Sequence, residues 1–276
     1  MSRWAGKSAV ITGAGTGIGR AVSMELARAG AVVYVTALYE QEAQDVVDAI
    51  RAAGGRAEAA ALDVTEKLAL ERVFKQVAEE HGSLDLVINN AGIMYVGEFL
   101  EMDDTFLETL IDVNMKAVAL GTLYAYRIMK AQGHGMIANM ASSGGLIPVG
   151  TMAAYSGSKH GVVGLTASVA GEAEAHGVVF KTICPGNVSS DMLSKAKTRG
   201  TNAETVLKGL PALMPAERAA RIIVAGLSQT PRKIVFPFYA KMLGLAQRVW
   251  PEIGHKGAVR SIEEFRKYRN DAINQD

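Results

Sequence analysis

Tyr155 and Lys159 are the pair of side chains in this sequence best suited to acid–base chemistry. They lie four residues apart in a predicted helix, Ala153 to His176, and this spacing places them on one helix face. A free tyrosine has a pKa of about 10 and is a poor proton donor or acceptor at neutral pH. A nearby ammonium group favours the phenolate and could bring Tyr155 into a useful range. Surface pairs with this spacing are common, so the interpretation needs a second feature.

Two polar residues could assist this pair. Ser142 follows a predicted strand, and its hydroxyl could hold a substrate oxygen for protonation by Tyr155; the adjacent Ser143 competes for that role. Asn114 is predicted to lie within a helix beside the site. An asparagine there usually bonds water or local backbone, but its carboxamide could also open a helical turn so that a water links Lys159 to solvent.

A glycine cluster follows the first apolar run of the chain and precedes a helical pattern. It reads Thr12-Gly13-Ala14-Gly15-Thr16-Gly17-Ile18-Gly19. Glycines let the backbone approach a pyrophosphate, which the free amide groups and partial positive charge of a helix N-terminus attract. The spacing differs from G-x-G-x-x-G because Ile18 occupies the place of the last glycine. Its position between a strand and a helix nevertheless favours a dinucleotide site.

Two further segments end predicted strands at the same edge. Asp63 and Val64 close the third strand, where a carboxylate could accept from an adenine amino group, although Asp63 could simply precede a helix. Asn90, Ala91 and Gly92 close the fourth strand, where ligands bind in open α/β sheets, although Asn and Gly also favour plain turns.

The hydrophobic pattern alternates between strand-length apolar runs and helical periodicity. Unbroken apolar strands separated by helices predict a parallel sheet covered on both faces, hence a doubly wound Rossmann-type α/β fold of about seven strands. We expect one catalytic and dinucleotide-binding domain over residues 1–236, with a polar substrate lid at 189–215. We expect residues 237–276 to form a C-terminal helical extension.

Composition excludes several classes of protein. The 276 residues are 49% hydrophobic and 21% charged, which excludes a disordered chain. A net charge of +1 gives no support for nucleic-acid binding. The single cysteine, Cys184, excludes an internal disulfide, and the five histidines show no metal-ligand spacing. With no apolar span or leader segment in the sequence, we expect a cytoplasmic protein without a metal.

Together these motifs resemble the short-chain dehydrogenase/reductase superfamily over residues of about 7–236. The resemblance implies that Tyr155 is the general acid or base and Ser142 positions the substrate oxygen. It also implies that Lys159 lowers the pKa of Tyr155 and holds the nicotinamide ribose, and that Asn114 completes a proton relay. Further cofactor contacts are then expected after the sixth main strand, at Pro185, Gly186, Val188 and Ser190.

The resemblance leaves the choice of cofactor open. Relatives that use NAD place an acid at the end of the second strand, where this chain has Ala37. Relatives that use NADP often place a basic residue where this chain has Leu38 or Thr16. Because loss of the acid removes repulsion against a 2′-phosphate, we favour NADP(H) over NAD(H).

Apolar residues near the expected site indicate the substrate. Ser142 would stand among Leu146, Ile147, Met152, Met192 and Leu193. We therefore expect hydride transfer between a secondary alcohol and a ketone that is bulky and lipophilic, of steroid, retinoid or fatty type. A cofactor-binding regulatory protein without turnover and a sugar epimerase or dehydratase are the alternatives.

The C-terminal segment carries an apolar stripe at helical spacing. It comprises Phe238, Tyr239, Met242, Leu243, Ala246, Val249 and Trp250, with Lys241 and Arg248 opposite. Such a stripe is typical of core or subunit contact, but it also suits a membrane-surface helix or the wall of an apolar pocket. We expect a homodimer or homotetramer and no membrane partner, although this stripe leaves one open.

Overall fold

Seven parallel strands form the central sheet of the computed structural model, which describes residues 2–202 and 213–273. The side chains at 268 and 270–273 are not included in that description. The sheet order is β3-β2-β1-β4-β6-β7-β9, and a separate two-stranded sheet pairs β5 with β8. The strands are β1 Ser8–Ile11, β2 Val32–Ala37, β3 Arg56–Ala61, β4 Leu86–Asn89, β5 Tyr95–Val96, β6 Gly135–Met140, β7 Val178–Pro185, β8 Lys197–Thr198 and β9 Lys233–Phe236.

Helices cover the sheet on both faces. The helices of the described residues are α1 Gly17–Arg28, α2 Glu40–Ala52, α3 Lys67–His81, α4 Asp104–Ile111, α5 Ala117–Gln132, α6 Ala153–Ala173, α7 Asp191–Ser194, α8 Ala216–Leu227, α9 Phe238–Val249 and α10 Glu252–Ile273. A π-helical turn, Asp112–Lys116, joins α4 to α5, and short 3₁₀ turns span Phe99–Glu101, Ser143–Gly145 and Glu174–His176.

Burial on both faces explains why the central strands are apolar throughout. In β1, Val10 and Ile11 point to opposite sides of the sheet and join two different hydrophobic cores. All residues of β1, β2 and β4 are buried. The expected doubly wound Rossmann-type α/β architecture with seven strands is therefore confirmed.

The sheet order reverses beside β1, which lies between β2 and β4. In an open α/β sheet the loops at such a point diverge and leave a crevice outside the carboxyl ends of the strands. The turns after β1, β4, β6 and β7 all open onto this crevice. The fold therefore gathers segments far apart in sequence at one edge.

The described part of the segment expected as a lid, residues 189–202 and 213–215, contains regular structure that its polar sequence does not indicate. It contains α7 and the strand β8, which pairs with β5 in parallel register, Tyr95 with Lys197 and Val96 with Thr198. This pairing satisfies backbone groups of β5 that the main sheet does not reach. Residues 203–212 of the expected lid lie outside the described residues.

The last two helices pack over loops at one end of the crevice. A Cβ on Gly244 of α9 would lie 3.3 Å from Leu146, and one on Gly150 would lie 2.5 Å from the Ala258 carbonyl of α10. Arg266 donates two hydrogen bonds to Glu98, at 2.9 and 2.6 Å. In the part of the chain that the structure describes, no helix is long and apolar enough to cross a membrane.

Candidate active site

The turn between β1 and α1 has room for backbone only. Gly13 and Gly17 have φ angles of 60° and 53°, a region that side chains disfavour. A Cβ on Gly13 would lie 2.8 Å from the Ala91 Cα, and one on Gly19 would lie 2.4 Å from the Gly13 carbonyl. The amide groups of the first turn of α1 border the crevice. These positions therefore require glycine, and the compact turn with amide groups at its edge fits a pyrophosphate.

Asn90 fixes the shape of the glycine turn. Its Nδ2 donates to the Thr12 and Gly13 carbonyls, each at 2.9 Å. In return, the Thr12 hydroxyl accepts from the backbone amides of Asn90 and Ala91, at 3.0 and 3.1 Å. The turn after β4 therefore braces the turn after β1, and the side chain of Asn90 serves the protein backbone.

Tyr155 and Lys159 lie together on the first part of α6, both buried. The Lys159 Nζ is 5.7 Å from the centroid of the Tyr155 ring and donates to the Met140 carbonyl at the end of β6, at 2.9 Å. Ser142 follows β6, and its hydroxyl accepts from the Gly144 amide at 3.1 Å. Strand β6 and helix α6 therefore bring the three predicted residues to one end of the crevice.

Burial controls the protonation of this pair. It lowers the pKa of Lys159 to about 8, because the ammonium has few solvating groups. It also raises the pKa of Tyr155, and the neighbouring Ser142 hydroxyl opposes that rise. In the protein alone, burial therefore dominates and the Tyr155 pKa lies above its usual value, not below it as expected.

Asn114 occupies the π-helical turn between α4 and α5, fully buried. Its side chain pairs with both backbone groups of Ile93: Oδ1 accepts from the Ile93 amide and Nδ2 donates to the Ile93 carbonyl, each at 2.8 Å. A Cβ on Gly92 would lie 3.1 Å from this Oδ1 and 3.5 Å from the Lys159 Nζ. Asn114 therefore lies behind the crevice wall, close to the buried lysine.

Comparisons with known proteins agree with this geometry. The family model for short chain dehydrogenases matches residues 7–200. This chain belongs to the short-chain dehydrogenase family. It is thus an NAD(P)-dependent oxidoreductase of the class that acts on CH–OH groups.

Relatives of this dehydrogenase include enzymes with assigned substrates. A 3beta-hydroxysteroid dehydrogenase of Mediterraneibacter gnavus is 34% identical over 238 residues, which cover 84% of each chain. Among solved structures, a metagenomic short-chain oxidoreductase in complex with NADP is 30% identical, with a TM-score of 0.71 over 84% of this chain and 97% of that one. A Burkholderia phymatum relative in complex with NAD is 25% identical, with a TM-score of 0.84 over 92% and 96%.

A single cleft of about 410 Å³ brings together most of the sequence-predicted residues of this dehydrogenase. Its lining includes Ser142, Tyr155 and Lys159 together with the whole set expected to bind the cofactor. That set is Gly13, Gly15, Thr16, Gly17, Ile18, Gly19, Ala37, Asp63, Val64, Asn90, Ala91, Gly92, Pro185, Gly186, Val188 and Ser190. Asp63 also accepts from the Thr65 amide and hydroxyl, at 2.9 and 2.7 Å, so it caps a turn as well as lining the cleft.

The expected substrate residues divide into two groups. Met152, Met192 and Leu193 line the cleft, whereas Leu146 and Ile147 do not. Leu146 instead lies under Gly244 of α9, because the C-terminal extension covers that side of the loop. The prediction that Leu146 and Ile147 line the substrate pocket is therefore wrong.

Sequence reasoning missed several residues of the cleft. Ile93 and Met94 add apolar surface near Tyr155, and Glu42 and Lys195 add opposite charges at the glycine-turn end. The Lys195 Nζ lies 3.3 Å from Glu42 Oε1. No local motif marks these four residues, because only the fold brings them to the cleft.

Proposed function

We propose that this dehydrogenase interconverts a secondary alcohol and a ketone with Tyr155 as the general acid or base. The observation that carries the proposal is the shared cleft. The Tyr155 ring, the Lys159 ammonium and the glycine turn border one continuous space, with Ser142 beside Tyr155. A dinucleotide held on the glycine turn and a carbonyl held at Ser142 would thus be adjacent.

The protein's own groups divide the proton chemistry between them. A nicotinamide coenzyme, when bound on the glycine turn, would supply or accept the hydride. In the reducing direction, the Ser142 hydroxyl donates to the carbonyl oxygen and holds it beside Tyr155. Tyr155 then gives its phenolic proton to that oxygen and becomes a phenolate, which the neighbouring Lys159 ammonium stabilises. In the oxidising direction, the phenolate takes the proton from the alcohol.

The shape and polarity of the cleft favour a bulky lipophilic substrate. Side chains of Ile93, Met94, Val149, Met152, Met192 and Leu193 line the end that holds Tyr155. Each buried methylene of a ligand contributes about 0.8 kcal/mol there, and methionines adapt to varied shapes. The relative named as a 3beta-hydroxysteroid dehydrogenase supports the same class of substrate.

NADP(H) is the cofactor that we favour. Ala37 leaves the end of β2 without an acid, and Lys195 is the cation that lines the glycine-turn end of the cleft among the described residues. The Glu42 carboxylate lies near Gly15 and would repel a 2′-phosphate, which weakens the preference for NADP(H). Lys195 partly neutralises this carboxylate. A 2′-phosphate could then take Lys195 as its counterion.

Steady-state kinetics on ketones of rising size test the function. With NADPH, we expect kcat/KM to rise about fourfold for each added methylene until the cleft is full, the factor that corresponds to 0.8 kcal/mol. Chromatography should identify the secondary alcohol as product. Best activity on a sugar-like carbonyl would overturn the lipophilic assignment alone, whereas coenzyme binding without turnover on any ketone would favour a regulatory protein.

We also propose that the chain forms a homodimer or homotetramer. Light scattering on the full chain measures the mass directly, and a monomeric mass at all concentrations would contradict the proposal.

A further inference from the structure

Helix α9 turns an apolar face towards solvent. Phe238, Met242, Leu245 and Val249 recur at helical spacing, and they are 75%, 47%, 56% and 79% exposed. The opposite side of the helix, with Ala240 buried and Gly244 against Leu146, packs onto the protein. The usual arrangement of a surface helix is thus reversed, because its largest apolar side chains face outward.

Exposed apolar side chains also follow α9 directly in the chain. Trp250 and Ile253 are also exposed, at 63% and 41%. We call the six residues Phe238, Met242, Leu245, Val249, Trp250 and Ile253 the α9 ridge. Contiguous apolar patches of this kind on soluble proteins mark sites of protein or membrane interaction.

The charged residues beside the α9 ridge favour one kind of partner. Lys241 and Arg248 lie seven residues apart on one flank, both exposed, and the segment 238–253 contains a single acidic residue, the exposed Glu252 near its end. Within the described part of the chain, neither forms an ion pair. An antiparallel two-fold pairing of the ridge with a second copy would set this basic flank against itself, which costs energy. An apolar surface edged by basic groups instead matches a bilayer with anionic headgroups.

We propose that the α9 ridge docks this dehydrogenase onto the surface of a bilayer that carries anionic lipid. The ridge side chains would enter the boundary between headgroups and acyl chains, and Lys241 and Arg248 would contact lipid phosphates. The docking is in the plane of the surface and requires no spanning helix.

The inner side of the same helix reaches the cleft. The Tyr239 hydroxyl accepts from the Asn187 amide at 3.1 Å, next to Pro185 and Gly186. The width of one helix, about 10 Å, therefore separates the docked surface from the cleft. If the proposed function holds, a lipophilic ketone could pass from the bilayer to Tyr155 over this short distance; the docking itself does not depend on that function.

Co-sedimentation with vesicles tests the docking of the full chain. We expect partition onto phosphatidylcholine vesicles that contain phosphatidylserine to exceed partition onto phosphatidylcholine alone. Neutralising the basic flank in the double variant K241Q/R248Q should lower the partition about fivefold per charge. The matched control is R127Q/K130Q, which removes two exposed charges from α5 and should leave partition unchanged.

Leu245→Glu tests the apolar contact. It should lower partition onto the vesicles at least tenfold, because this is the factor that corresponds to the free energy of burying a leucine side chain. Leu68→Glu changes a leucine of similar exposure, 66%, on α3 and should have no effect. If Leu245→Glu fails to fold, Val249→Glu in the last turn of α9 tests the same apolar contact. Equal binding by all variants, or no binding by the wild type, would overturn the proposal. The proposal would also be overturned if Leu245→Glu had a lower oligomeric mass than the wild type and the wild type did not bind vesicles. The ridge would then contact a second copy of the chain.

Discussion

Lys195 and Glu42 link two walls of the cofactor cleft, with 3.3 Å between the ammonium nitrogen and the carboxylate oxygen. Glu42 belongs to the first turn of α2, and Lys195 follows α7 in the segment between the sheet and α8. A Cβ on Gly15 would lie 3.1 Å from Glu42 Oε2, so this pair borders the glycine turn. Its two charges act in opposite senses on any phosphate bound there.

Substituting Lys195 and Glu42 should shift cofactor selectivity in opposite directions. Lys195→Gln should weaken NADPH binding up to about fivefold and leave NADH unchanged, because exposed pairs contribute about 0.2–1 kcal/mol. Glu42→Gln should strengthen NADPH binding by removing repulsion. Fluorescence titration measures both constants. Lys197→Gln is the control, since Lys197 pairs with Asp103 away from the cleft. Equal losses for NADPH and NADH in Lys195→Gln would contradict a 2′-phosphate contact.

Tyr155→Phe should bind coenzyme and lose nearly all turnover. The ring still packs in its buried site, but the phenolic proton is gone, and such proton transfer contributes about 10²–10⁴-fold. Tyr95→Phe removes a hydroxyl from another buried tyrosine of the same hydrophobic cluster and should keep its kcat. Single-turnover and steady-state rates measure both variants. Turnover near the wild-type rate in Tyr155→Phe would remove this residue from the mechanism.

The sequence predicted the arrangement of the candidate site wherever that arrangement depends on local spacing. Tyr155 and Lys159 are one helical turn apart, and the glycine turn lies between a strand and a helix, so each motif carries its own geometry. The predicted strand boundaries were also close to the observed ones. For example, β9 spans the predicted residues Lys233–Phe236.

The remaining cleft residues depend on long-range contacts. Glu42 and Lys195 are 153 residues apart and meet only because α7 folds over the edge of the sheet. Leu146 is apolar and close in sequence to Ser142, yet α9 covers it. The apolar stripe of α9 is typical of a buried helix face in the sequence, yet much of it is exposed in the structure. The period of a sequence does not tell which side of a helix packs against the protein.

Lys159→Met should be inactive but more stable than the wild type at neutral pH. Burial lowers the Lys159 pKa to about 8, so below that pH the folded protein bears the cost of a desolvated ammonium. Against an unfolded value of about 10.4, that cost is on the order of 3 kcal/mol, offset by about 1 kcal/mol for the lost hydrogen bond to Met140.

The pH dependence of this effect has a definite sign. Between pH 8 and about 10.4 the unfolded chain binds more protons than the folded one, so wild-type stability gains from rising pH there. The stability difference between Lys159→Met and the wild type should be largest below pH 8 and should narrow above it. Urea unfolding at several pH values measures the difference, and a constant gap would show that Lys159 is not desolvated.

Gly17→Val should abolish coenzyme binding at a modest cost in stability. The residue has a φ of 53°, and a Cβ there would lie 3.0 Å from the Ser190 Cβ, on the wall opposite the glycine turn. A branched side chain would fill the space that the pyrophosphate needs.

Gly82→Val is the matched control, because Gly82 has a φ of 72° and no atom within 4 Å of its Cβ position. Both variants should lose at least about 1–2 kcal/mol of stability from left-handed backbone strain, as thermal melting would show. Only Gly17→Val should lose the NADPH signal in fluorescence titration. An equal loss of binding in both variants would assign the effect to strain, and unchanged affinity in Gly17→Val would move the pyrophosphate away from this turn.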